Sequence, residues 1–382
     1  MKKSMFKPIV QWTLGGLLSV CTLVANAQTG GDIVIGQVAP FTNIPVTEAL
    51  EINQGATSYL AQLNKTGVQG RKVVLFKMDD EYNADKFVER FASAMEKRPV
   101  ALISPIGSTA IKRMLDDKLL DNADVVVVNA IPGAESLRNP GHRKLFHIRA
   151  GDKQQIEKIV NHARTIGISK LSMLYQDFAM GISGEAVAQT ESTRVAGLAF
   201  KSVKSAIDEK SLTQAAAELA AQSPQGILIV GAPRFSVDGV AALRKAGVTQ
   251  SIFVLSYVQP GLLIKVAGLA GARGVGIAQT YPNPNGRVLP LLREFQSAMK
   301  VSFPDIKEYT PFHLEGYMSA KVVGEALLRS RDKDITGATL ARSLKAMGEV
   351  DLGGFRVDFS KGNTGSSFVD IGVMNVDGRL IY

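Results

Sequence analysis

Val125-Val126-Val127-Val128 is apolar at every position, and a strand of that kind is stable only in a sheet covered on both faces. It is the fourth strand of an alternation that starts at Ile33. Ile33 to Val38 reads as the first strand, and Ala49, Ile52, Ala56, Tyr59, Leu60 and Leu63 mark one face of the helix after it. Lys72 to Met78 is the second strand, with a helix over Ala84 to Lys97. Val100 to Ser104 is the third, with a helix opening near Ser108. Strand, helix, strand, helix builds a parallel sheet of βαβ units, so the chain is expected in the α/β class.

The rhythm restarts after His147-Ile148-Arg149. Helices are expected over Lys153 to Ile166, Glu185 to Val195, Leu212 to Ala221 and Ser236 to Ala246. Strands are expected at Lys170 to Tyr175, Leu198 to Val203, Gly226 to Val230, Ile252 to Ser256 and Val275 to Thr280. Two similar lobes follow from this, although no stretch of sequence repeats. Tyr281-Pro282-Asn283-Pro284-Asn285-Gly286 is a turn-rich joint. Three helices come next, over Val288 to Val301, Pro311 to Ser330 and Thr336 to Met347. Helices without strands between them cannot build a third sheet, so they are expected to complete an earlier lobe. The chain closes on a hairpin-like tail, Phe355 to Phe359 and Phe368 to Met374 around a polar turn through Gly362 and Gly365.

The first residues speak to location. Lys2, Lys3 and Lys7 precede a mostly apolar run from Ile9 to Val24, and Ala25-Asn26-Ala27 forms a small-x-small cleavage site. That run is shorter than the ~20 apolar residues of a membrane span. A cleavable signal and export to a bacterial periplasm are expected. The one cysteine, Cys21, lies inside the signal, and bulky Val20 before it argues against lipoprotein cleavage there. A mature chain of 355 residues then carries no thiol, which excludes disulfides, thiol nucleophiles and cysteine-ligated metals. It is long enough for two domains. The formal charge of +9 becomes +6 once the three signal lysines have left. The basic residues are scattered and form no nucleic-acid patch.

Motifs for catalysis are missing. His142, His147, His162 and His313 show no metal-ligand spacing. Asp79-Asp80-Glu81 reads as a strand-ending acidic turn before it reads as a metal site. Gly181-Ile182-Ser183-Gly184 falls short of a nucleophile elbow, and Gly271 to Gly276 runs into a strand instead of opening a dinucleotide-binding helix. No enzyme, metal or cofactor is expected.

Binding has better support. In open α/β sheets ligands sit beyond the carboxyl ends of strands, where loops lead into helix N-termini. The loop Ser104 to Thr109 is one such place. Gly107 lets a ligand approach the backbone, Ser108 and Thr109 add hydroxyls, and free N–H groups there favour an anion. Capping of the helix by Ser108 is an equal use of the same residue. The loop Asn129 to Ala134, with Ala130 and Gly133, is a second candidate or an ordinary turn. From the other lobe come Asp152, Met180, Tyr257, Thr280 and Tyr281. Asp152 would hold an ammonium group or cap the helix at Lys153. Met180 and Tyr257 would be cavity walls or core. Tyr82 is a candidate for the rim.

Five stretches resemble one family in order along the mature chain. They are Asp79-Asp80-Glu81-Tyr82, Gly133 to Pro140, Phe146-His147-Ile148-Arg149-Ala150, Leu255-Ser256-Tyr257-Val258 and Leu314 to Lys321. The family is the periplasmic substrate-binding proteins of branched-chain amino acid type ABC transporters. The resemblance implies a type I periplasmic-binding-protein fold, two Rossmann-like lobes with parallel sheets joined by three crossovers. Lobe 1 would be 28–148 and 282–357, and lobe 2 would be 149–281 and 358–382. It further implies a monomeric receptor that closes on a small amino acid, amide or carboxylate and delivers it to an inner-membrane ABC permease, with no role for nucleic acid. In amino-acid binders of the family the loop matching Gly107-Ser108-Thr109 grips the carboxylate. The loop matching Ile131-Pro132-Gly133 often adds a hydroxyl, which Pro132 removes together with a backbone donor. Asp152 falls near the acid that meets the ammonium, and Met180 stands where relatives commonly place an aromatic residue before a glycine, here Gly181. A sensor passing its closed state to a signalling receptor would use the same cleft. An exported enzyme would need a paired nucleophile and base, which the cleft residues lack.

Overall fold

The computed structural model describes residues 30–43 and 47–382, together with Met1. The signal sequence and Cys21 lie outside the described residues. The first sheet is built from β1 (Ile33–Ala39), β2 (Val73–Asp79), β3 (Ala101–Ile103), β4 (Val126–Val128) and β5 (Leu145–Phe146), in the order β2-β1-β3-β4-β5. Every pairing is parallel. Between the strands run α1 (Glu48–Leu63), α2 (Ala84–Glu96), α3 (Ser108–Asp116) and the short α4 (Glu135–Arg138). The three valines of β4 are fully buried, as a strand with helices on both faces requires.

The chain then builds a second sheet. Its elements are α5 (Asp152–Thr165), β6 (Lys170–Gln176), α6 (Ala179–Arg194), β7 (Ala199–Ser205), α7 (Glu209–Ala221), β8 (Gly226–Val230), α8 (Pro233–Lys245), β9 (Ser251–Val254), α9 (Pro260–Ala272) and β10 (Val275–Gln279). It returns to the first sheet through α10 (Pro290–Ser302), α11 (Pro311–Arg329), α12 (Gly337–Ala346) and the pair β11 (Glu349–Asp351) and β12 (Arg356–Asp358). A third passage ends in β13 (Asp370–Met374) and β14 (Leu380–Ile381). The second sheet has the order β14-β13-β10-β9-β8-β6-β7, parallel except at β13 and β14. The fold is therefore two α/β lobes of mainly parallel sheet, crossed between three times.

The three helices after the joint do pack on the first sheet. Leu314, Met318 and Val322 of α11, Phe295 of α10 and Leu340 of α12 share one core with Ile33, Val126 and Phe146. Helix α11 is buried nearly all round, and it crosses α1 at backbone contact. A methyl group on Gly55 would lie 1.8 Å from the His313 carbonyl oxygen, and one on Gly316 would lie 1.9 Å from that of Ile52. Only glycine permits that approach.

Two expectations need correction, and one helix was not anticipated. The tail is not a hairpin, because β12 pairs with β11 while β13 pairs with β10 of the other sheet. The polar turn between them is the third crossover. Helix α6 starts at Ala179, ahead of the expected Glu185. Its Gly181 and Gly184 lower helix propensity, yet Gly181 is required where the helix presses on the Gln176 backbone. Helix α9, with Pro260 in its first turn and a break at Gly268, had no clear sequence period.

Candidate functional site

A cavity of about 100 Å³ lies between the lobes at the carboxyl ends of their strands. The first lobe contributes Glu48, Tyr82, the β3–α3 loop from Ile106 to Thr109, and the segment Ile131 to Gly133 that follows β4. The second contributes Asp152, Phe178, Met180, Ala232, Pro233 and Tyr257, and Phe312 of α11 closes one side. Eight of the expected site residues meet here: Tyr82, Gly107, Ser108, Thr109, Gly133, Asp152, Met180 and Tyr257.

Gly107 precedes α3 at φ 105°, a backbone conformation open to glycine. It turns the chain so that the first N–H groups of α3, which have no intrahelical partner, begin at the cavity wall. Ser108 is the first helical residue, and the capping position before it is held by Gly107. Across the cavity, Gly133 accepts from the Asp152 N–H at 2.9 Å. A methyl group at Gly133 would lie 2.5 Å from Asp152 Oδ1 and 2.6 Å from the Tyr257 hydroxyl oxygen, so glycine lets this loop reach the second lobe.

Asp152 begins α5 but does not cap it. Gln154 does that by accepting from the Gly151 N–H at 2.9 Å. The Asp152 carboxyl is buried and accepts from the Tyr257 hydroxyl at 2.5 Å through Oδ1, while Oδ2 has no partner among the described residues. Burial pushes this carboxyl up, against the Tyr257 hydrogen bond and the charges of Arg138 and Arg149. Arg149 supports the arrangement from behind. Its guanidinium lies 5.0 Å from the Tyr257 ring centre, bonds both oxygens of Glu315 at 3.3 Å and donates to the Ser256 hydroxyl.

Glu48, Phe178 and Phe312 were not singled out from sequence. Glu48 is only 6% exposed, its Oε2 has no partner among the described residues, and burial pushes its carboxyl up to about 8. An acid in the first helical turn after a strand's carboxyl end was the available signal, at the place in the β1–α1 unit that Ser108 holds in the next but one. Three expected residues do not line the cavity. Ala130 is fully buried in the first lobe, Thr280 is buried, and Tyr281 stacks on Phe355 at 5.4 Å. Each stands where the backbone leaving a strand still points its side chain into the core. The acidic turn after β2 is structural: Asp79 accepts from the N–H groups of Phe41 and Glu81, both at 2.9 Å. Among the described residues no cluster of histidine, cysteine or carboxylate has metal-holding geometry, and no helix is long and apolar enough to cross a membrane.

The family model described as "Periplasmic binding protein" matches residues 32–379. The chain belongs to that family. This periplasmic binding protein is 55% identical to an extracellular ligand-binding receptor from Verminephrobacter eiseniae, with a TM-score of 0.88 over 92% of this chain and 100% of that one. It is 28% identical to a substrate-binding periplasmic protein from Ralstonia solanacearum, with a TM-score of 0.81 over 92% and 99% of the two chains. An ABC transporter substrate-binding protein from Desulfitobacterium hafniense, solved in complex with Leu, shares the fold at 20% identity, with a TM-score of 0.74 and coverage of 92% and 99%. No curated protein matches. The family is one of solute-binding periplasmic proteins and not a class of enzymes.

Proposed function

We propose that this periplasmic binding protein is the solute receptor of an ABC importer, exported on a signal ending at Ala27 and dividing at 148/149, 281/282 and 357/358. Its solute is a small amino acid, amide or carboxylate held between the lobes. A carboxylate group would sit on the free N–H groups and the Ser108 hydroxyl at the start of α3, where the helix dipole favours negative charge. An ammonium or amide group would face Asp152. One observation carries this reading: a small cavity with walls from both lobes is lined by a helix N-terminus and by a buried carboxyl with one oxygen unpartnered among the described residues. A solute touching both walls stabilises the closed arrangement, and a ligand shifts such an equilibrium only by contacts made better in one state. The closed form is what a permease would recognise.

A thermal-shift panel of amino acids, amides and small carboxylates tests this, since a ligand bound only to the native state raises the melting temperature. For whichever solute binds, Asp152→Asn and Ser108→Ala should each weaken affinity roughly tenfold to a hundredfold, as expected for losing a hydrogen bond to a charged group. Calorimetry giving unchanged affinity for both variants would remove the site assignment.

A further inference from the structure

Glu48 has no role in the reading above, and its position asks for one. It opens α1 in the first lobe, is 6% exposed and lines the cavity, and its Oε2 has no hydrogen-bond partner among the described residues. Buried polar groups are normally satisfied, and one left open at a cavity wall points to a partner that arrives from outside. Glu48 and Asp152 line the same cavity. Asp152 has a partner at one oxygen, the Tyr257 hydroxyl. Ile106, Ile131, Met180 and Phe312 add apolar wall around the two acids.

Resting on the amino-acid reading of the cavity, we propose that Glu48 selects solutes whose side chain ends in a nitrogen donor, an amide N–H or a cationic nitrogen. An alkyl end would bury the open oxygen without a partner, which disfavours it by roughly tenfold or more. A carboxylate end would set two acids against each other in a dry site. A nitrogen donor satisfies Oε2, and the apolar wall residues suit a short methylene chain. The solute class is thus an amino acid, or its amide, with a nitrogen-ended side chain.

Calorimetry with shape-matched probes tests the assignment: asparagine and glutamine against leucine and glutamate, and lysine against norleucine. In the native sequence the best nitrogen-ended probe should bind at least tenfold more tightly than its alkyl and acidic counterparts. In Glu48→Leu that ratio should fall to about one, because the apolar wall now welcomes the alkyl end. Glu48→Gln, which keeps the shape, should retain the amides and lose any preference for lysine. Asp152→Asn should weaken the two sets alike. Alkyl probes that bind as tightly as nitrogen-ended ones, or a ratio untouched by both Glu48 variants, would overturn the role of Glu48 and leave the solute site standing. Silence from the whole panel would overturn both.

Discussion

Arg149→Met should destabilise the fold by about 3–5 kcal/mol, the usual consequence of removing one partner of a buried ion pair. Both side chains are inaccessible, at 1% and 2% exposure. Burial holds the Glu315 carboxyl above its ordinary range even with Arg149 beside it, so Glu315 has little tolerance for losing that charge. The pair also ties elements together. Asn129, just after β4, donates to Glu315 at 3.0 Å and accepts from the Arg149 N–H at 3.1 Å. Arg149 itself stands on the first crossover and reaches Ser256 beyond β9. Urea unfolding of Arg149→Met, Glu315→Leu and the double variant measures the effect. The singles should each lose several kcal/mol, and the double should lose clearly less than their sum, because replacing both charges leaves neither one stranded. Additive losses would show that the two side chains contribute separately.

The second large effect concerns pH. Glu48 ionises at about 8 in the folded chain against an ordinary 4.5, so the native state holds a proton that the unfolded state has released. Stability from such a group is fully present below the unfolded pKa and declines as pH rises from about 4.5 to about 8. The decline is on the order of 5 kcal/mol for a shift of this size. Asp80, pushed up to about 7 by burial, acts with the same sign, as does Asp152, whose carboxyl burial raises. Glu48→Gln should therefore flatten part of the profile. It should match the native sequence near pH 4 and exceed it by a few kcal/mol at pH 8, in denaturant titrations across that range. Identical slopes for the two proteins would mean that Glu48 is ionised in the folded state.

Much of this molecule could be read from its residues where a local pattern and the tertiary demand coincide. The run Gly226 to Val230 is apolar because it is buried on both faces, and its limits match β8. Ser108 marks the start of α3 because a glycine turn and a change of period occur together there. Where the two disagreed, the reading failed. The glycines of α6 look like a loop but serve a close crossing, and the closing strands look like partners but serve different sheets. The site divides in the same way. Gly133, Asp152, Met180 and Tyr257 stand where strands give way to loops or helices, so position alone pointed to them. Glu48 was hidden because an acid in a first helical turn has an ordinary use beside the helix dipole; its burial and open oxygen are properties of the folded chain.

Native mass spectrometry tests the central claim most directly. The chain from Gln28 onward would be incubated with the amino acid, amide and carboxylate panel, exchanged into volatile buffer and weighed folded and denatured. The account predicts one added small-molecule mass per folded chain, absent after denaturation and reduced in Asp152→Asn. A folded mass equal to that of the bare chain after every incubation would contradict it.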